Sequence, residues 1–123
     1  MAHPTILVPM LFVASVPRSI EFYRHLGLVE GDNSYTPPGA SETHWASMEN
    51  GEARLMLSKA GEPVQAELQA IVLYFYSDNI DACRNDLVAR GIAVGPMQYP
   101  FWAPGGEFRV VDPDGFVSMI SHR

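Results

Sequence analysis

The chain has 123 residues, 47% hydrophobic and 18% charged, and its 14 acidic side chains outnumber eight Lys and Arg to leave a net charge of −6. This composition excludes a disordered chain, and eight basic residues are too few to argue for a nucleic-acid partner, whose phosphates need clustered cations. No apolar run reaches the roughly 18 residues of a membrane span, Met1-Ala2-His3-Pro4 lacks the basic start of a secretory signal, and the single Cys83 permits no intrachain disulfide. The expectation is a cytoplasmic protein without a membrane partner, whose acidic balance suits a neutral or cationic small molecule.

In chain order, Thr5 to Ala14 reads as a strand with an irregularity at Pro9, which cannot donate to a ladder. Ser15-Val16-Pro17 then opens a helix: a side-chain acceptor precedes a proline placed where a missing N–H is harmless. Ile20, Tyr23 and Leu26 form its buried stripe, and Gly27 ends it in the left-handed region. Val29 to Thr43 is rich in Gly, Pro, Ser, Asn and acidic residues and reads as a loop with one short strand near Tyr35. His44–Glu49 and Ala53–Lys59 form a hairpin about Asn50-Gly51. A polar connector with one proline follows, from Gly61 to Glu67.

The second half repeats the plan. Ala70 to Tyr76 is a continuous apolar strand, and Asp78 caps a helix running through Arg90, with Ile80, Cys83 and Leu87 on one face and Gly91 at its end. Ile92–Met97 is a further strand. Phe101 and Trp102 lie on a mobile loop through Pro104-Gly105-Gly106, and two β-prone runs close a hairpin about Asp112-Pro113-Asp114-Gly115. Each half thus reads strand, helix, three strands. The fold class expected is α+β, two tandem βαβββ modules in a single domain, the first about 5–60, a linker about 61–69 and the second about 70–123.

Phe12-Val13-Ala14-Ser15-Val16-Pro17-Arg18-Ser19-Ile20-Glu21-Phe22-Tyr23-Arg24-His25-Leu26-Gly27-Leu28 resembles the first-module signature of the vicinal oxygen chelate superfamily, which groups glyoxalase, bleomycin-resistance proteins, fosfomycin-resistance enzymes and extradiol dioxygenases. Asp78-Asn79-Ile80-Asp81-Ala82 with Leu87-Val88-Ala89-Arg90-Gly91 resembles its second-module helix, and Phe108 to Gly115 its terminal hairpin. The resemblance implies a cupped mixed sheet, the glyoxalase/bleomycin resistance/dioxygenase fold, often completed across a homodimer and holding its ligand in the concavity. Matching strand by strand places the family's four metal-ligand positions at Val8, Met56, Val72 and Met119, none of which carries a hard-metal donor. Neither metal nor cofactor is expected. The bleomycin-resistance branch, a metal-free dimer that sequesters a ligand between aromatic walls, is the one this chain looks like.

Alternation along the strands names the side chains of such a wall. With Val72 facing the concavity, Tyr74 and Tyr76 join it, while Ile71, Leu73 and Phe75 turn toward the helix. Met10 and Phe12, Arg54 and Met56, Arg109 and Val111, and Val117 and Met119 follow the same rule, with Trp45, His44 and Trp102 as additions. Each has a plainer reading. The Met residues and Phe12 suit a core, and the tyrosines suit a dimer seam. Arg54 and Arg109 suit salt bridges with Glu49, Glu52 or Glu107, or an anionic ligand group. Phe101 and Trp102 suit a lid or a dimer contact, His44 a solvated strand edge, and Cys83 packing. No nucleophile and base stand in a recognisable order, so no catalytic residue is assigned.

The ligand set expected is Phe12, Trp45, Arg54, Met56, Tyr74, Tyr76, Trp102, Arg109 and Met119, in a metal-independent small-molecule-binding protein that sequesters an antibiotic or another aromatic compound. The alternative is a lyase or dioxygenase whose metal ligands are displaced to His44 and to Glu42, Glu49 or Glu107. A purely structural dimer is the third reading.

Overall fold

The computed structural model describes residues 2–123, which divide into two compact units on either side of Val64 and Gln65. The first unit runs β1 (Met10–Val13), α1 (Val16–His25), β2 (Val29–Tyr35), β3 (Trp45–Asn50) and β4 (Ala53–Lys59), in a sheet of order β1-β4-β3-β2. β1 pairs parallel with β4, with Met10 opposite Met56, and the other pairings are antiparallel. A parallel partner requires a crossover, which α1 provides. Ser15 starts that helix by accepting from the Arg18 N–H at 3.3 Å, Pro17 lies in its first turn, and Gly27 at φ +94° turns the chain out of it. Ile20 and Tyr23 are buried as expected, but Leu26, at the helix end, is half-buried and Leu28 enters the core instead. The face of the sheet under α1 carries Leu11, Val13, Ala46, Met48, Leu55 and Leu57, all buried. Full burial of a Leu or Met side chain is worth about 1.5–3 kcal/mol.

Two expectations for this unit are corrected. The first strand is Met10–Val13, not Thr5–Ala14. Pro9 has no N–H, and its carbonyl, which accepts from Met56, is where the pairing with β4 begins. The segment read as mostly loop contains a seven-residue strand, β2. Its pairing with β3 steps from Glu30↔Met48 to Ser34↔Ala46, so Gly31, Asp32 and Asn33 bulge out of register. Polar residues are tolerated there because β2 is an edge strand.

The second unit runs from a short 3-10 turn (Ala66–Leu68) through β5 (Val72–Ser77), α2 (Ile80–Ala89), β6 (Glu107–Val111) and β7 (Val117–His122), with sheet order β5-β7-β6. β5 and β7 are parallel, with Tyr74 opposite Met119, and β6 and β7 are antiparallel. Phe108, Val110, Phe116 and Ile120 are buried together with Ile80 and Leu87 of α2. Among the described residues no helix is long and apolar enough to cross a membrane.

Here too the details shift. The helix cap is Asn79, whose Oδ1 accepts from the Ala82 N–H at 3.2 Å; Asp78 is one residue too early and lies exposed, 3.9 Å from Arg123. The strand expected over Ile92–Met97 does not form. Gly95 donates to the Arg109 carbonyl and Gln98 exchanges two bonds with Glu107, so three steps on one side oppose two on the other, and Pro96-Met97 bulges where proline has no donor. In place of a ladder, the Arg84 side chain reaches from α2 and donates to the Gly95 carbonyl through Nε at 3.1 Å and Nη2 at 2.9 Å. Its guanidinium lies 6.0 Å from the Phe108 ring centre.

The closing hairpin is built on Asp112, whose buried carboxylate accepts from the Asp114 and Phe116 N–H groups, both at 2.8 Å. Gly115 has φ +87°, and a Cβ there would meet Ala66 at 2.6 Å. Gly115→Ala should therefore destabilise the protein by about 1–3 kcal/mol, read as a lower midpoint in urea unfolding. Arg84→Met keeps the aliphatic stem but removes the clamp. It should cost about 1–2 kcal/mol and speed amide hydrogen exchange at Gly95 and Gln98 ahead of the β7 amides.

Candidate ligand-binding faces

In each unit the sheet face opposite the helix is open and rich in aromatic and thioether side chains. In the first unit the rungs are Phe12, Ser58, Trp45 and Tyr35 across all four strands, then Met10, Met56 and Ser47, then Arg54 opposite Glu49. Phe12 is exposed, and Trp45 and Met56 are half-buried. Trp45 lines an open depression of about 520 Å³ with Tyr35, Pro37, His44, Ser58 and Lys59. His44 is fixed through its backbone, donating to Tyr35 and accepting from Lys59, and the Lys59 ammonium donates to the Ala14 carbonyl at 3.1 Å.

The second unit presents Val72, Tyr74 and Tyr76 on β5, Val117 and Met119 on β7, and Glu107, Arg109 and Val111 on β6. Tyr74, Met119 and Arg109 share one rung, and Tyr76, Ser121 and Glu107 the next. The tyrosine rings stack at 6.1 Å with 29° between planes. Both are solvent-accessible, Tyr74 at 44% and Tyr76 at 64%. Trp102 reaches this face from the loop between Pro100 and Gly106. Its indole N–H donates to Glu107 Oε1 at 3.2 Å, and Phe101 meets it edge-on at 5.0 Å. The loop is tightly folded: Ala103 is buried, and Gly106 at φ +108° leaves room for Met97 Sδ, which a Cβ would meet at 3.0 Å.

Tyr74, Tyr76, Trp102, Arg109 and Met119 are thus neighbours on the second unit, and Phe12, Trp45, Arg54 and Met56 lie on the open face of the first. The salt-bridge alternative for the arginines is not realised. Among the described residues neither Arg54 nor Arg109 forms an ion pair, although Glu49 stands directly across from Arg54. Glu107 instead takes the Tyr74 hydroxyl at 3.4 and 3.5 Å and the Trp102 N–H. Glu107 and Tyr35 were not in the ligand set read from the sequence. Parity with Arg109 places Glu107 on the open face, but its burial beneath Trp102 comes from a loop whose path has no sequence signal.

The residues at the family's metal-ligand positions do not fit a metal ion: Val8 and Val72 carry only carbon, and Met56 and Met119 offer soft thioethers. Among the described residues no three His, Cys, Asp or Glu side chains gather closely enough to hold one elsewhere. The thiol of Cys83 is pushed above its usual range by burial, with Asp86 adding to the shift, which disfavours the thiolate.

No protein with a curated description matches the chain in sequence. Solved structures do match in fold. A bleomycin-binding protein complexed with bleomycin is 16% identical with a TM-score of 0.75, covering 98% of this chain and 99% of that one. TnmS3, an antibiotic-binding protein from Streptomyces sp. CB03234, is 23% identical with a TM-score of 0.75, covering 99% and 98%. The bleomycin-binding protein of bleomycin-producing Streptomyces verticillus, complexed with copper(II)-bleomycin, is 20% identical with a TM-score of 0.73, covering 100% and 99%. The family model described as Glyoxalase/Bleomycin resistance protein/Dioxygenase superfamily matches residues 4–120, and with the two helix-crossed mixed sheets already described it places this chain in that superfamily.

Proposed function

We propose that the protein binds and sequesters a small aromatic compound, of the kind represented by antibiotics, without a metal ion and without transforming it. The observation that carries this reading is the stacked Tyr74–Tyr76 pair beside Trp102 and Met119, an accessible aromatic and thioether surface on an open sheet face. Planar π-systems offered to solvent are suited to stacking against a planar ligand. The aliphatic and thioether groups at the metal-ligand positions support binding over Lewis-acid chemistry. Similarity in fold to antibiotic-binding proteins agrees with it.

In this reading Phe12, Trp45, Arg54 and Met56 furnish the binding face of the first unit, and Tyr74, Tyr76, Trp102, Arg109 and Met119 that of the second. The protein works in the cytoplasm as a homodimer, a state supported by its exposed large apolar side chains, Phe101 at 90% among them.

Titration with aromatic antibiotics, bleomycin among them, followed by tryptophan fluorescence and calorimetry, tests the function. Saturable binding that survives dialysis against a chelator is expected, with no change in the ligand recovered. Tyr76→Ala should weaken it by about tenfold, the loss of one stacking contact. Binding that requires added divalent metal, or chemical turnover of the ligand, would overturn the reading. Light scattering of the purified protein should give twice the 13.6 kDa chain mass.

A further inference from the structure

We propose that the second unit carries a recognition site for an organic cation: the Glu107 carboxylate pairs with the ammonium or amidinium group of an aromatic ligand, and the Trp102 indole N–H occupies that carboxylate until the ligand arrives. The inference rests on the aromatic-face reading above and names the charge of what that face takes.

Glu107 is only 3% exposed, yet the donors it receives are both neutral. Removing a carboxylate from water costs several kcal/mol unless a cation or strong hydrogen bonds replace the solvent. The bonds to Tyr74 at 3.4 and 3.5 Å and to Trp102 at 3.2 Å are long beside the roughly 2.7–2.9 Å of charge-assisted pairs. A carboxylate has about four acceptor sites, so capacity remains for a stronger donor. Among the described residues no Lys, Arg or His pairs with it. Arg109, one rung away, is exposed, so solvent and salt screen its charge, while Glu107 lies out of water.

The surroundings fit the same ligand. Trp102, Tyr74 and Tyr76 present π-faces, which attract cations through the ring quadrupole. Trp102 is 61% exposed although its N–H end reaches a buried acceptor, so it covers the carboxylate without belonging to the core. Its loop is anchored at Ala103 and is flanked by Pro100 and Gly105-Gly106. An arriving ammonium can therefore displace the indole N–H by moving one side chain. The net charge of −6 favours approach of cations over anions. A metal ion is a poorer match, because a single carboxylate supplies too few ligands.

Benzamidinium and its neutral isostere benzamide, at millimolar concentrations and low salt, test the charge directly by ligand-observed NMR and calorimetry. The wild-type protein should bind benzamidinium about tenfold more tightly. Glu107→Gln should abolish that preference, the two probes then binding alike, while measurable benzamide binding shows the face to be intact. Trp102→Phe keeps a ring but frees the carboxylate, and should raise benzamidinium affinity about three- to tenfold with no gain for benzamide. Equal binding of the two probes to the wild-type protein would overturn the cation inference while leaving the aromatic-face reading standing; binding of neither would overturn both. A preference that persists in Glu107→Gln would remove Glu107 from the site. Should Glu107→Gln not fold, Trp102→Phe decides, since unchanged benzamidinium affinity there would also overturn the inference.

Discussion

A strand sends successive side chains to opposite faces, and in both units the parallel pairing of the first strand with the last sets which set faces the helix. Met10 stands opposite Met56 in one unit and Tyr74 opposite Met119 in the other. A slip of one residue would turn Leu11 and Val13, or Leu73 and Phe75, out to solvent and bring Phe12 or the tyrosines against the helix. Burial of Leu11, Val13, Leu55 and Leu57 under α1 opposes that slip. The aromatic open faces are thus a by-product of building the core, and their residue types are where the chain could specialise.

The two units follow one topological plan and depart from it differently. In the first, all three strands after the helix pair, and the irregularity is confined to the polar edge strand β2. In the second, Gly95 and Pro96 interrupt the matching segment, and Arg84 holds it by a bidentate grip on one carbonyl. The chain that follows is then free to fold as the tight loop that brings Trp102 over Glu107. A regular ladder through that region would have committed those backbone groups to pairing. The local loss of sheet is linked to the feature of most functional interest.

Family membership by itself admits several chemistries, because one fold can host metal-dependent catalysis and plain binding. What separates them is the chemistry at a few strand positions. Val, Met, Val and Met at those places leave no hard donor, while the same faces are furnished with Trp, Tyr and Phe. The arginines that looked like anion hooks remain solvated and unpaired among the described residues, and the charged group buried on the second unit's open face is the acid Glu107. From the sequence, the net charge of −6 suited a cation and the arginines an anionic group; a buried carboxylate on the open face favours the cation.

Much of this was legible in the residues. Ser15 and Pro17 marked one helix start, Asn50-Gly51 and Asp112-Pro113-Asp114-Gly115 marked both hairpins, and alternation sorted Tyr74 and Tyr76 from Leu73 and Phe75, because caps, turns and parity are local and act within a few residues. The extents of β1 and β2, the missing strand at 92–97 and the cap at Asn79 were not, since strand length depends on a partner distant in sequence and a cap on where the first turn closes. Sequence alone determined the family, both helices and both hairpins, and which side chains of a strand share a face. Only the tertiary structure decided that Glu107 lies buried between Tyr74 and Trp102 and that Arg54 and Arg109 form no ion pair among the described residues, because burial and hydrogen bonding are properties of neighbours that loops bring together.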